Sequence, residues 1–209
     1  MLKGKLVNLR PVLNEDIPLL VKWFSENPIA VDFLGSNLAS IEKVKEYFEN
    51  AIKKPENRRD FIIETKDGQA IGISSLESIN WKHRHAESVN LIGEQGFRTR
   101  EIIFEAQMRI FDYGFCTLNL HRIYWRILES NPRMINVLKH WIELTKTERV
   151  SEVFQLEGIL REVYFTHNKY YNIQVYGILK DKYMEFQKLF HKCFNDLASK
   201  KLKVLETAS

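Results

Sequence analysis

Two arginines stand where the chain could bind phosphate. Arg98 and Arg100 flank Thr99, directly before an apolar segment that predicts a helix from Glu101 to Cys116. A guanidinium group binds a phosphate through paired, charge-assisted hydrogen bonds. The alternative is an ordinary charged helix entry, in which both arginines pair with neighbouring acids. The residue types alone leave both interpretations open.

The other reactive side chains predict neither a metal site nor a nucleophile. The six histidines lack the spacing that zinc ligands need. The two cysteines, Cys116 and Cys193, show no metal-ligand spacing and no disulfide framework, and Cys116 is interpreted as a core thiol. Neither a Gly-x-Ser-x-Gly motif nor a Gly-x-x-x-x-Gly-Lys motif occurs in the chain. We therefore expect no metal and no serine or cysteine nucleophile.

Seven strands are predicted from alternating and β-branched segments. Pro11 cannot donate a ladder bond, so it places the first strand at a sheet edge, and Lys66-Asp67-Gly68-Gln69 predicts a hairpin. A polar turn is predicted at Asn80–His85. The predicted strands are Leu6–Val12, Asp60–Thr65, Ala70–Leu76, Ala86–Ile92, Arg122–Leu128, Val153–Leu160 and Tyr170–Leu179.

Four helices are predicted between these strands. Asn14 is expected to cap the first, Ser40 the second and Asn131 the fourth, because all three side chains can accept an N–H of the first turn. The helices cover Ile17–Phe24, Ile41–Ile52, Glu101–Cys116 and Asn131–Leu144. Strands interleaved with helices in this order predict a mixed α/β sheet.

The last segment differs from the rest of the chain. We expect a domain at 1–180 followed by an amphipathic basic helix and tail at 181–209. From 180 to 209, seven lysines outnumber four acids, which is weak support for nucleic acid binding, so that function is not expected. The apolar stripe docks on its own domain or forms a homodimer or partner interface. It consists of Tyr183, Phe186, Leu189, Phe190, Cys193, Phe194 and Leu197.

Composition is that of one globular domain with an extension. Hydrophobic residues make up 44% and charged residues 28% of 209 residues, which is ordinary for a folded protein. The N-terminal residues contain no apolar stretch typical of a signal peptide, and no window approaches a membrane span. A cytoplasmic protein is therefore expected.

Several short sequence segments, taken in their order along the chain, resemble the GNAT superfamily of N-acetyltransferases. The resemblance is specifically to the branch with the ribosomal-protein N-terminal acetyltransferases. The resemblance covers the chain from about Leu2 to Tyr183. It rests on Leu6-Val-Asn-Leu-Arg-Pro-Val12, Asn80-Trp-Lys-His-Arg-His-Ala-Glu87, Leu118-Asn-Leu-His-Arg-Ile123, Glu157-Gly-Ile-Leu-Arg-Glu162 and Tyr176-Gly-Ile-Leu179.

The resemblance implies a GNAT fold, with a mostly antiparallel twisted sheet, splayed central strands and flanking helices. It implies that acetyl-CoA, or another acyl-CoA, binds in the gap between the strands at Ala86–Ile92 and Arg122–Leu128. Glu87 matches a glutamate that serves as the general base. The donor's pyrophosphate is expected on the loop and helix start, and Asn131 is a candidate for the pantetheine arm. The implied donor-binding residues are Arg98, Thr99, Arg100, Ile102, Ile103 and Asn131.

Six positions depart from the family's pattern, two of them being Ile142 and Glu143, which stand where a Gly-Phe pair is usual. Glu101 and Ile103 stand where the donor loop carries glycines, and glycine lets the backbone approach a phosphate without a Cβ in the way. Phe104 replaces a small hydroxyl residue, and Leu138 stands where a tyrosine can protonate the leaving thiolate. These departures predict a degenerate pyrophosphate loop.

The function expected from the resemblance is N-acylation. The acyl group of a CoA thioester is transferred to an amine of a small molecule, a peptide or a protein. Two alternatives remain open at this point. A GNAT-fold module that has lost catalysis would bind a partner, and an acyltransferase with a non-CoA donor would not need the loop glycines.

Overall fold

The computed structural model describes residues 1–25, 41–147 and 153–187. The chain divides into two compact units, Met1–Asn119 and Leu120–Ser209. The predicted boundary at residue 180 stays a prediction, because most of 181–209 lies outside the described residues.

Five antiparallel strands in chain order form the sheet of the first unit. They are β1 (Leu2–Lys3), β2 (Val7–Pro11), β3 (Arg59–Thr65), β4 (Ala70–Asn80) and β5 (His85–Ile92). The predicted hairpin joins β3 to β4, with Gly68 at a φ of +87°, a left-handed conformation that glycine adopts without steric cost.

The expectation that the first predicted strand lies at the edge is wrong. The short strand β1 pairs with β2, with Leu2 opposite Leu9 and Lys3 opposite Asn8. The pairs of β1 reach only to Leu9, so no β1 residue is paired with Pro11 and the missing N–H of that proline breaks no bond of this ladder. A two-residue strand carries too little pattern to be found by periodicity.

Among the described residues of the first unit, three α-helices accompany this sheet, namely α1 (Ile17–Ser25), α2 (Ile41–Lys53) and α3 (Arg100–Asp112). Helix α3 continues as a π-helical turn, Tyr113–Thr117. A single core cluster joins α1 and α2 to one face of the sheet, and it includes Leu20, Trp23, Phe48, Ile62 and Ile73.

The cap of the first helical segment differs from the prediction. A 3-10 turn, Asn14–Asp16, precedes α1, and its N-cap is Leu13 rather than Asn14. The Asp16 carboxylate accepts the Leu13 N–H at 2.8 Å. The acid thus bonds back to the amide of the N-cap residue, while the Asp16 N–H donates to the Leu13 carbonyl at 3.0 Å, so the Asn14 side chain does not cap this turn. Ser40 lies outside the described residues.

Three strands and a helix make up most of the second unit. They are β6 (Arg122–Leu128), α4 (Pro132–Thr147), β7 (Gln155–Thr166) and β8 (Lys169–Leu179). Strand β8 lies between β6 and β7, antiparallel to both. The chain is helical from 180 through 187, where Tyr183 and Phe186 are buried. The rest of the predicted stripe lies outside the described residues.

Candidate active site

Strand β5 presents alternate residues to different helices. Ile62, Ile73 and Leu91 lie opposite one another across β3, β4 and β5, and all three belong to or pack against the core under α1 and α2. Because side chains alternate along a strand, Glu87 points to that same face. Glu87 is only 4% exposed, so its carboxylate lies under the helices and not at a solvated strand end.

A β-bulge decides which side chain faces Glu87. Asn80 lies opposite His85, and Glu77 lies opposite Glu87, so β4 has one residue more than β5 between these two pairs. Ser78, within the bulge, has a φ of +50°. Directly opposed residues have Cβ atoms about 5 Å apart, and the bulge therefore brings two carboxylates side by side.

The guanidinium group of Arg58 organises the polar side chains around this pair. Its Nε lies 2.6 Å from Asp60 Oδ2, and its Nη2 lies 3.0 Å from Glu77 Oε1. Its Nη1 donates to the Tyr47 hydroxyl, and its Cζ lies 4.9 Å from the centre of the Tyr47 ring. The Ser75 hydroxyl donates to Asp60. Three carboxylates and one guanidinium thus lie beneath α2.

The pKa values of Arg58 and Tyr47 reflect this environment. Burial would lower the pKa of Arg58, but the negative charges of Glu77 and Asp60 outweigh it and raise that pKa. Burial, with a further contribution from Glu77, raises the pKa of Tyr47 to about 12. At neutral pH the guanidinium is therefore charged and the phenol is neutral, so Tyr47 can donate its proton in a hydrogen bond.

The opposite face of β5 anchors α3. Gln107 on α3 donates to the Ser88 hydroxyl at 2.9 Å and accepts from Asn90. Two residues earlier, the buried Glu105 carboxylate accepts the backbone N–H groups of Lys5, Leu6 and Val7 at 2.6, 2.6 and 2.8 Å. Helix α3 is thus fixed both to β5 and to the start of β2.

The loop between β5 and α3 contains most of the residues predicted to bind the donor. A 3-10 turn, Gln95–Phe97, is followed by Arg98 and then by Thr99, the N-cap of α3. The Thr99 hydroxyl accepts the Ile102 N–H at 3.4 Å, and the Thr99 carbonyl accepts the Ile103 N–H at 3.2 Å. Arg98, Thr99, Arg100, Ile102 and Ile103 therefore lie together around one helix start.

The two arginines of this loop have different surroundings. Arg98 is partly buried, and its guanidinium donates to the carbonyl oxygens of Ile92 and Gly93 at 3.0 and 3.2 Å. It therefore holds the loop against the end of β5. Arg100, at the first position of α3, is exposed, so of the two it is the one whose guanidinium is open to a phosphate from solvent.

Asn131 belongs to the second unit and caps α4 there. Its side-chain oxygen accepts the Met134 N–H at 3.1 Å, and its carbonyl accepts the Ile135 N–H at 3.2 Å. The capping role predicted from the sequence is present, and the role at a pantetheine arm stays a prediction.

The family resemblance named Glu87 as the candidate base, which stays a prediction, and no sequence pattern indicated the polar residues near it. Tyr47, Arg58, Asp60 and Glu77 come from α2, from the residue before β3, from β3 and from β4. The polar turn at Asn80–His85, taken without a bulge, would pair Glu77 with Ser88. No sequence pattern indicated the extra residue at Ser78.

Within 1–25, 41–147 and 153–187 no group of three or more His, Cys, Asp or Glu residues is arranged to hold a metal ion. Among the helices of those same ranges, none is long and apolar enough to cross a membrane.

Comparisons with known proteins place the chain in a family. A family model described as an acetyltransferase (GNAT) domain matches residues 7–141. Spermidine N(1)-acetyltransferase of Vibrio cholerae is 28% identical over 176 residues, which cover 82% of this chain and 86% of that relative. Spermidine N(1)-acetyltransferase of Escherichia coli strain K12 is 24% identical over 178 residues, covering 85% and 88%.

A solved structure shares the fold. The crystal structure of spermidine N-acetyltransferase from Vibrio cholerae in complex with CoA and spermine matches with a TM-score of 0.71 and 24% identity, covering 87% of this chain and 99% of that one. The fold class expected from the sequence is confirmed. Because the family model spans more than half of the chain, the protein belongs to the GNAT acetyltransferase family, and it is an N-acyltransferase that uses acetyl-CoA as co-substrate and acylates an amine.

Proposed function

We propose that the acceptor is a small polyamine, acetylated on a primary amine. The observation that carries this proposal is the similarity to spermidine N(1)-acetyltransferases over more than four fifths of the chain. Those relatives are spermidine acetyltransferases, so the resemblance to the branch with the ribosomal-protein N-terminal acetyltransferases is not supported. A peptide or protein acceptor is likewise without support.

The charge beneath α2 is consistent with a cationic acceptor. Asp60, Glu77 and Glu87 contribute three carboxylates against the single guanidinium of Arg58. In a partly buried site, opposite charges attract more strongly than they do in water. A protonated amine would therefore be drawn to this side of the sheet and would be deprotonated there before it attacks the thioester.

Glu87 is proposed as the group that accepts this proton. Amine acylation needs a neutral nitrogen at the thioester carbonyl, and a carboxylate within one water of the amine can take its proton. The buried position of Glu87, on the face beneath α1 and α2, supports this role. Glu77 lies directly opposite Glu87 on β4, and Arg58, just before β3, pairs with Glu77.

The donor is proposed to bind at the start of α3. When bound, acetyl-CoA supplies the activated acyl group as a thioester. The thirteen-residue helix offers N–H groups and the positive end of its dipole, which favour a pyrophosphate, and the exposed Arg100 adds a positive charge. Glu101 and Ile103 still depart from the family's glycine pattern, so the degenerate loop stays a prediction.

An acceptor panel tests the substrate class. We expect CoA release with spermidine and with spermine. Release should be at least tenfold slower with an N-terminal peptide at the same concentration. A tenfold difference in rate corresponds to about 1.4 kcal/mol of discrimination between the two acceptors. Preferential acetylation of the peptide would contradict the polyamine proposal while leaving the N-acyltransferase assignment intact.

Replacing the proposed base tests the mechanism. Glu87→Gln preserves the side-chain shape, and we expect kcat for spermidine to fall by about 10² to 10⁴, the range for loss of a general base. Acetyl-CoA affinity, measured by isothermal titration calorimetry, should stay within twofold. A kcat within threefold of the unsubstituted enzyme would remove Glu87 from the reaction.

The two alternatives left open by the sequence, a binding module without catalysis and an acyltransferase with a non-CoA donor, are not supported, because the chain belongs to an acetyltransferase family. Titration of the unsubstituted protein with millimolar acetyl-CoA tests donor binding through the heat of binding and a thermal shift. The absence of both would contradict the proposed donor site. Homodimer formation through the terminal stripe and a cytoplasmic location also stay predictions.

A further inference from the structure

Helix α1 contacts the segment that leads from β5 to the donor loop. Trp23 on α1 is only 2% exposed, yet its indole Nε1 donates to Glu94 Oε1 at 2.9 Å. The Lys22 Nζ reaches the same carboxylate oxygen at 3.2 Å. These hydrogen bonds, first that of Trp23 and then that of Lys22, hold the pKa of Glu94 below its usual value. The carboxylate is therefore charged at neutral pH.

The indole ring also lies directly on the backbone of Gly93. A Cβ added to Gly93 would overlap Trp23 ring atoms, including Cγ and Cδ1. Only glycine allows this approach of ring and backbone. Trp23 thus fixes both the position of Gly93 and the direction of the Glu94 side chain.

Two further contacts hold the same backbone. The N–H groups of Gly93 and Glu94 donate to the Ile71 carbonyl of β4 at 2.9 and 3.2 Å. The Arg98 guanidinium donates to the carbonyls of Ile92 and Gly93. The segment is consequently fixed by β4, by Arg98 and by α1. Of these three sets of contacts, the one from α1 comes from an element outside the sheet and the loop.

The connection from this segment to the helix start is short and hydrogen-bonded. The Phe97 N–H donates to the Glu94 carbonyl at 3.1 Å, and the Thr99 N–H donates to the Phe97 carbonyl at 2.8 Å. Thr99 then caps α3. Because hydrogen bonds link Glu94 to Phe97 and Phe97 to Thr99, we expect a displacement of Glu94 to move the first turn of α3.

We infer that Trp23 and Glu94 are positioning residues for the acyl-CoA donor. Their contact, named here the α1 latch, sets where the first turn of α3 lies and so how well its N–H groups meet the donor's phosphates. This inference depends on the proposed donor site at the start of α3. It adds a residue outside the loop to the determinants of donor affinity.

Removal of the indole N–H tests the α1 latch. Trp23→Phe keeps an aromatic ring against Gly93 and deletes the donor to Glu94. We expect KM for acetyl-CoA to rise on the order of tenfold, as loss of a hydrogen bond to a charged group would give, with kcat at saturating acetyl-CoA and spermidine within twofold. The calorimetric Kd for acetyl-CoA should rise in parallel.

The chain offers a matched control for this substitution. Trp81 is 45% exposed, and its Nε1 donates to the Glu56 carbonyl at 3.0 Å. Trp81→Phe therefore also deletes one indole N–H bond, far from the donor loop in sequence. Its KM for acetyl-CoA should match that of the unsubstituted enzyme.

Two more variants distinguish a failure of the α1 latch from a failure of the proposed donor site. Glu94→Ala breaks the α1 latch from its partly exposed side, keeps the Trp23 ring in place against Gly93, and should raise the same KM as Trp23→Phe does. Arg100→Glu tests the donor site itself. If Arg100→Glu raises KM for acetyl-CoA while Trp23→Phe and Glu94→Ala leave it within twofold, the α1 latch is overturned. If Arg100→Glu changes neither KM nor Kd, the donor-site proposal fails.

Discussion

Charge is the main issue at the scale of single residues, because several ionised groups lie under the helices of the first unit. Glu77 and Glu87 face each other across β4 and β5, and like charges so placed destabilise a sheet. Arg58 offsets this cost through its contact with Glu77, and its second carboxylate partner is Asp60. Because Asp60 and Glu77 both pair with Arg58, this acidic cluster is compatible with a folded core.

Substitution of Arg58 should therefore be costly. Arg58→Met removes the positive charge and leaves Asp60 and Glu77 without it, so we expect the free energy of unfolding to fall by about 3 to 5 kcal/mol. Arg58→Lys keeps the charge but loses the forked geometry, and its loss should be smaller. Urea denaturation at pH 7 measures both. Equal losses would mean that shape, and not charge, is what the cluster requires.

The ion pair between Arg10 and Asp16 predicts a pH-dependent loss of stability. Burial alone would raise the pKa of Asp16, but hydrogen bonds from Arg10 and from the Leu13 N–H hold that pKa below its usual value. A lowered folded-state pKa means stability that is present above the unfolded pKa of about 4 and is lost as the pH falls through the folded value.

Asp16→Asn tests this sign. We expect a deficit of about 1 to 3 kcal/mol at pH 7, shrinking below about pH 4 as the unsubstituted protein loses the same charge. Glu15→Gln, at an exposed neighbouring position, should show little deficit at any pH. A deficit for Asp16→Asn that stayed constant from pH 7 to pH 3 would contradict the assignment.

Elements with strong periodicity could be predicted, and those fixed by a single hydrogen bond could not. The strand at Arg122–Leu128 was predicted with the bounds that the structure has, because its apolar and β-branched run lies between clear turn signals. Strand β1 depends on its pairing with β2, and the cap at Leu13 depends on one carboxylate. Neither feature leaves a periodic pattern in the sequence. Glu87 was found through the family resemblance, whereas its neighbour Glu77 depends on a bulge that no turn signal announced.

The attachment of α3 to the N-terminal segment predicts a position that requires glycine. A Cβ on Gly4 would overlap the Val7 carbonyl and would lie 2.7 Å from Glu105 Cδ, next to three backbone hydrogen bonds. Gly4→Ala should lower the free energy of unfolding by about 1 to 3 kcal/mol. At Gly96 an added Cβ meets nothing within 4 Å, so Gly96→Ala should be neutral in the same urea titration. Equal effects would show that the clash at Gly4 is relieved without cost.

Ligand binding links the site to the stability of the whole molecule. A donor that binds only the folded chain stabilises it by about 2.7 kcal/mol at a concentration of 100 times Kd. For a chain of 209 residues, this corresponds to a rise in Tm of about 5 to 10 °C. Differential scanning fluorimetry with acetyl-CoA measures it, and desulfo-CoA, which lacks the sulfur and the acyl group, should retain most of the shift. A constant Tm would contradict the proposed donor site.

The single extra residue in β4 has a consequence for how relatives of different length should be compared. If Ser78 were deleted while Asn80 stayed opposite His85, the count between the two pairs would become equal and Glu77 would still meet Glu87. A homologue shorter by one residue here would thus keep both acids in register, and the gap in an alignment belongs at this position. Ser78, which has a positive φ, is therefore the residue of β4 whose deletion would leave the pairing of Glu77 with Glu87 unchanged.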